Sequence, residues 1–261
     1  MILATHRRGA GTPLILIHGM GSASTIWKSI SPALSDHFEV ITLDLPGHGE
    51  TPYDPGQAMD PAALADLVVT NMDRLGIAEA HFSGNSLGGW VGLELASRHP
   101  TRVLTFTGLA PAGLILAPFT RINPLTAQSR QIAVSTRSIQ KYLLKFMWAK
   151  RIGFASTSPK WRELPYEYAL DAALAMGKSE GYFPAWEAML YRRFDTPILP
   201  TIPLTVVFGD SDNTLPAHTW QERSLVPAHT RWIVLPNCGH APQWDSPEEV
   251  VRIICETAAL R

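Results

Sequence analysis

Gly84-Asn85-Ser86-Leu87-Gly88 sets one hydroxyl between two glycines, where an apolar run gives way to a helical one. A serine hydroxyl is a weak nucleophile near neutral pH and needs a base beside it. A tight strand-to-helix turn would expose that hydroxyl at the helix N-terminus, where unpaired amides favour negative charge. Glycines at 84 and 88 suit the crowding of such a turn, and Gly89 lets the helix approach the sheet. His240, in Asn237-Cys238-Gly239-His240-Ala241-Pro242, is the candidate base. Asp212, in Gly209-Asp210-Ser211-Asp212, is the candidate carboxylate that fixes the imidazole tautomer and stabilises its charged form, with Asp210 as the fallback. The backbone N–H groups of Met20, in His18-Gly19-Met20-Gly21, and of Leu87 can together form an oxyanion hole. One such donor is worth on the order of 100- to 1000-fold in rate. The chemistry implied is acyl transfer to water, which needs neither a metal nor an organic cofactor, and no motif for one occurs. His18 and His48 are read as braces of their turns, and His81, His218 and His229 have weaker contexts.

These side chains must be brought together by elements the chain also announces. Leu14–Ile17, Val40–Leu43, Ala80–Ser83, Val103–Phe106, Leu204–Phe208 and Trp232–Leu235 are short runs, mostly apolar and bounded by glycine and proline. Runs apolar on both faces suit strands buried in a parallel sheet. Helical stretches separate them. Pro61–Leu75 opens after Asp60 and closes at Gly76, and Leu87–Arg98 ends before Pro100. Ser246-Pro247-Glu248-Glu249 opens the last helix with a cap, a proline and two acids at its positive end. The alternation predicts an α/β fold, a doubly wound and mostly parallel sheet covered on both faces. In such a sheet the loops after the strands share one crevice, which is where residues 18–21, 86, 212 and 240 all fall.

The rhythm breaks between 113 and 195. That segment reads as helical, with Pro118, Pro124, Pro159, Pro165 and Pro184 as breakers, and it holds 13 of the chain's 23 aromatic residues. It also carries a formal charge of +6. It is expected to be a helical cap inserted into a core made of residues 1–112 and 196–261. Its aromatics would roof the crevice with apolar surface and admit a hydrophobic acyl or alcohol group, with Phe146, Trp148 and Trp186 as candidate substrate-binding residues. The competing use of those aromatics is the cap's own core.

The bulk properties exclude several classes. With 261 residues, 46% hydrophobic and 17% charged, the chain can bury a large core, and a formal charge of -1 gives no global field toward nucleic acid. Two cysteines, Cys238 and Cys255, cannot build a disulfide framework or a paired zinc site. No run approaches the ~20 apolar residues of a membrane span, and the N-terminal apolar run is too short for a signal segment. A cytoplasmic enzyme acting on a small molecule is the expectation, with the oligomeric state open.

Taken together, His18-Gly-Met-Gly21, Asp44-Leu-Pro-Gly-His-Gly49, Gly84-Asn-Ser-Leu-Gly-Gly89, Gly209-Asp-Ser-Asp212 and Gly239-His240 resemble the α/β-hydrolase superfamily, serine branch, over nearly the whole chain apart from the cap. The order Ser86, Asp212, His240 is the order of that fold. The resemblance implies a nucleophile elbow at Ser86 and oxyanion donors at Met20 and Leu87. Serine at 86 separates the chain from dehalogenase and epoxide hydrolase relatives, which have an acidic nucleophile. Three functions stay open: a serine esterase of carboxylesterase type, a C–C bond hydrolase acting on a vinylogous diketone acid, and a ligand-binding receptor with vestigial turnover. The second is suggested by Gly84-Asn85-Ser86, Cys238-Gly239-His240 and Gln243-Trp244. It is weakened by the short loop Met20-Gly21-Ser22-Ala23 and by Ala241, where those enzymes usually carry tryptophan.

Overall fold

All six apolar runs become strands in a computed structural model of the chain. It describes residues 1–261 other than Asn123, His218 and Trp220, with Leu125 described by its backbone alone. The strands are β1 (Thr5–Arg8), β2 (Pro13–Ile17), β3 (Glu39–Leu43), β4 (Ala80–Asn85), β5 (Val103–Leu109), β6 (Leu204–Gly209) and β7 (Arg231–Leu235). They form one sheet in the order β1-β3-β2-β4-β5-β6-β7. All neighbours are parallel except β1, which runs antiparallel to β3 at the edge. β1 was not legible as a strand: its residues are Thr5-His6-Arg7-Arg8, and only the ladder to β3 holds them extended.

β4, β5 and β6 are buried at every position, so both faces of the sheet are covered there. The two faces feed separate cores. Ile15 and Ile17 pack with Leu64, Val68, Phe82 and Phe106 on one side; Leu14 and Leu16 pack with Trp27, Ile30 and Ile253 on the other. This is the period-two alternation of a strand.

The helices are α1 (Ser31–Leu34), α2 (Pro61–Leu75), α3 (Leu87–Arg98), α4 (Pro124–Ser135), α5 (Gln140–Leu143), α6 (Met147–Phe154), α7 (Tyr166–Lys178), α8 (Tyr182–Met189), α9 (Pro242–Asp245) and α10 (Pro247–Ala258). The expected caps of α2 are in place. The Asp60 carboxylate accepts from the Ala63 N–H at 3.1 Å, and Gly76 closes the helix at φ 71°. At α10, Ser246 occupies the N-cap position but its hydroxyl does not bond the helix amides.

The chain between β5 and β6 holds α4 to α8. Leu144, Phe154, Trp161, Leu164 and Ala169 form a small core of that segment, whereas Tyr182, Ala185, Trp186 and Met189 of α8 join the main core. No helix among the described residues is long and apolar enough to cross a membrane.

Candidate active site

Ser86 stands between β4 and α3 with φ 56° and ψ −115°. A non-glycine residue at positive φ is strained by roughly 1–3 kcal/mol and persists only where its surroundings enforce it. Here they do. A Cβ on Gly84 would lie 2.2 Å from the Gly88 carbonyl oxygen, and one on Gly88 would lie 2.1 Å from that of Ile17. The Ser86 N–H is tied to the Leu109 carbonyl at 3.0 Å, and its own carbonyl accepts from Trp90 and Ala112. The backbone is thus held on both sides. Ser86 is half-buried, and its hydroxyl has no hydrogen-bond partner among the described residues.

His240 and Asp212 meet. The His240 Nδ1–H donates to Asp212 Oδ2 at 2.9 Å, which leaves Nε2 as the acceptor nitrogen. Asp212 is buried, and its other oxygen accepts the N–H groups of Thr214 and Leu215, both at 2.8 Å. Burial would raise this carboxyl's pKa, but the His240 charge, the ring hydrogen bond and the two amides together hold it below the ordinary value. Asp210, two residues earlier, is exposed and bonds Ser211 and the Cys238 N–H.

Ser86 and His240 are not hydrogen-bonded to one another, a contact that often tightens only with substrate present. Their loops are nevertheless joined. The Asn85 amide donates to the His240 carbonyl at 3.0 Å and to that of Leu109 at 3.0 Å, and Gln243 donates to Asn85 Oδ1 at 3.4 Å.

The amides of Met20 and Leu87 have no partner among the described residues. Gly19 lies close to Ser86, since a Cβ there would come within 3.0 Å of the serine Cβ. The loop is held by two buried groups. His18 donates from Nδ1 to the Gly19 carbonyl at 2.7 Å and accepts the Leu45 N–H at Nε2, so it is neutral, and burial lowers its pKa. Asp44 accepts the N–H groups of Ser24 and Glu50 and fills the space beside Gly49. In the sequence Asp44 stands out only as part of the motif Asp44-Leu-Pro-Gly-His-Gly49; its full burial with these partners gives it a task. His48 donates to the Pro46 carbonyl, and burial pushes its pKa down to about 3. His81 bonds Thr105 and His229 bonds the Ile202 carbonyl, while His218 lies outside the described residues.

A strap from the helical segment reaches the His240 loop, and nothing in the sequence singled it out. The Thr157 carbonyl accepts the His240 N–H at 2.7 Å. The buried Asp245 accepts the Ser158 hydroxyl and, at 2.7 Å, the Gly239 N–H. Lys160 donates to the Asp245 carbonyl, and Phe154 meets Trp244 edge-on at 6.1 Å. Cys238, beside this strap, has its thiol pushed up to about 12, first by burial and then by Asp245, which makes it inert as a nucleophile.

The expected roof is placed differently for different residues. Phe146 and Trp148 are exposed at 56% and 57% and stack on each other, so they form an outer surface of the segment, not a buried lining. The physical reason is that Leu144 and Phe154 already take the inward positions around them. Trp186 is buried against Phe119 and the main core. The side chains that close over the 18–21 loop are Met176 and Tyr182: a Cβ on Gly21 would meet them at 2.6 Å and 3.0 Å. A cleft of about 450 Å³ lies between β3, residues 23–32 and α7, but neither Ser86 nor His240 lines it.

Ser86, Asp212 and His240 thus all follow the ends of β4, β6 and β7, at one edge of the parallel sheet. The chain belongs to the alpha/beta hydrolase family, whose model matches residues 14–253. Among curated relatives, the dihydrolipoyllysine-residue acetyltransferase component of the acetoin cleaving system of Pseudomonas putida is 31% identical over 92% of this chain, which spans 61% of that protein's length. A pimeloyl-[acyl-carrier protein] methyl ester esterase of Aeromonas hydrophila subsp. hydrophila is 25% identical over 97% of this chain and 98% of its own. A 2-hydroxymuconate semialdehyde hydrolase of a Pseudomonas species is 36% identical over 49% of this chain and 48% of its own. Among solved structures, the enol-lactonase of Burkholderia xenovorans superposes with a TM-score of 0.75 at 22% identity, covering 98% of this chain and 96% of that one, a likeness of fold.

Proposed function

We propose that the chain is a serine hydrolase that cleaves a carboxylic ester, or a related acyl bond, of a small and largely hydrophobic substrate. The observation that carries the proposal is the pairing of a conformationally strained, part-exposed Ser86 with the His240–Asp212 couple at the same sheet edge. Ser86 Oγ attacks the substrate carbonyl carbon while His240 Nε2 takes its proton. The N–H groups of Met20 and Leu87 hold the oxyanion. His240 then gives the proton to the departing alcohol, leaving an acyl group on Ser86. Water, deprotonated by the same nitrogen, attacks that acyl carbon and releases the acid. Asp212 keeps the imidazole in the tautomer that presents Nε2 and stabilises it when charged. Met176 and Tyr182 close over the oxyanion loop, and residues 113–195 act as the cap.

The esterase and hydrolase activities in the names of the relatives agree with this class. A C–C bond hydrolase is the second reading, favoured by the partial match to the semialdehyde hydrolase. A panel of p-nitrophenyl esters of rising acyl length, run beside a vinylogous diketone acid, separates the two. Ester turnover that exceeds loss of the diketone absorbance is the expected result. Faster loss of the diketone would install the second reading, and tight ligand binding without turnover of either would install a receptor.

A further inference from the structure

Residues 139–152 bring six large apolar side chains to the surface. Ile139, Tyr142, Phe146, Met147, Trp148 and Ile152 are each 46% to 64% exposed. They are surplus to the local core, because Gln140, Leu144, Lys150 and Phe154 occupy the buried positions of the same stretch. The outward groups are also organised. Phe146 and Trp148 stack with centroids 6.4 Å apart, and Trp148 and Ile152 are one turn apart on α6. Patches of this kind on a monomer mark an interaction surface.

Cations outnumber acids around the patch: Glu163 and Glu167, around the start of the neighbouring α7, are the nearby carboxylates. Arg137, Lys141, Lys145 and Arg151 are exposed within and beside it, and none has an ion-pair partner among the described residues. The sequence has no aspartate or glutamate from 95 to 162. Outside residues 113–195 the chain carries a formal charge of -7, so the excess of cations belongs to the segment that holds this face.

We infer that this face docks on an anionic lipid surface, with the Phe146–Trp148 pair and Ile152 entering the boundary between headgroups and acyl chains and the four cations meeting lipid phosphates. Aromatic rings with a polar edge settle at that boundary, and lysine and arginine beside apolar groups are the mark of interfacial binding. A second copy of the chain is disfavoured as the occupant. A two-fold contact through this patch would bring eight cations together with only Glu163 and Glu167 of each copy nearby to offset them.

Flotation of the full chain with vesicles tests the inference without reference to catalysis. The chain should float with phosphatidylcholine–phosphatidylglycerol vesicles at low salt, only weakly with phosphatidylcholine alone, and progressively less as salt is added. Lys141→Glu with Lys145→Glu should weaken binding at least about tenfold, given roughly fivefold for each basic residue lost from an anionic surface. Met147→Ser with Ile152→Ser should weaken it on the same vesicles at every salt concentration. Both pairs should melt at the temperature of the parent chain, and Ser86→Ala should float as the parent does. Three results would overturn the inference: no flotation at low salt, equal flotation of parent and both double variants, or an oligomer in sedimentation velocity that Met147→Ser with Ile152→Ser dissolves while vesicles bind nothing.

Discussion

Two aspartates stand two residues apart after β6, and only one is turned toward the imidazole. Asp212 is buried and held by three hydrogen bonds, from Thr214, Leu215 and His240, whereas Asp210 faces solvent. Asp212→Asn should therefore lower kcat on the order of 10⁴-fold by favouring the wrong tautomer of His240. Asp210→Asn should stay within about threefold, because a surface change away from the reacting groups costs little. Steady-state kinetics on one ester checks both. His48 carries a separate prediction. Unfolded, it takes up a proton below about 6.5; folded, only near 3. The unfolded chain binds more protons between those values, so stability present above 6.5 is lost as pH falls through the window. From pH 7.5 to 5 this one group removes up to about 2 kcal/mol. His48→Gln should narrow the gap between urea midpoints at those two pH values without closing it, since burial also lowers the pKa of His18. Ser86, Asp212 and His240 were legible because each follows a recognisable strand end. Asp44, Asp245, Met176 and Tyr182 were not. Their tasks depend on partners such as Ser24, Ser158 and Gly21, which no local pattern links to them.

The turn between β4 and α3 works because two elements touch backbone to backbone. Gly88→Ala would push a methyl into the Ile17 carbonyl, 2.1 Å away, so β2 and α3 must separate or the turn must open. Overpacking of this kind typically costs 1–3 kcal/mol, roughly. Gly76→Ala has open space and only its left-handed φ of 71° against it, about 1 kcal/mol. Urea unfolding of the two variants should rank them in that order, and only Gly88→Ala should lose activity as well. The strap at 154–160 gives another test. Asp245→Ala removes the acceptor for both Ser158 and the Gly239 N–H. It should speed amide exchange at Gly239 and His240 and cut kcat/KM by roughly 10- to 100-fold through misplacement of the base. Elements themselves were unevenly readable. The apolar strands and α2 carry their pattern and caps within their own residues. β1 does not, because edge pairing to β3 outweighs its charged composition, and Ser246 shows that a cap residue can hold the right position without bonding the helix. Aromatic enrichment between 113 and 195 marked an unusual segment, yet it could not say which rings face inward. Leu144 and Phe154 decide that by filling the inner positions first.

At the scale of the molecule, the helical segment is tied to the sheet on two sides. Tyr182 and Trp186 join the main core near residues 47 and 181, where the Gly181 N–H donates to the Gly47 carbonyl at 3.1 Å. Thr157 and Ser158 hold the opposite side through the His240 loop. All of the proposed chemistry depends on Ser86 being the atom that attacks. Intact-mass and peptide-resolved analysis after exposure to a fluorophosphonate reads this most directly. A single adduct is expected on the peptide containing Ser86, formed far more slowly in His240→Ala and absent from Ser86→Ala. An adduct on another residue, or ester turnover retained in Ser86→Ala, would contradict it.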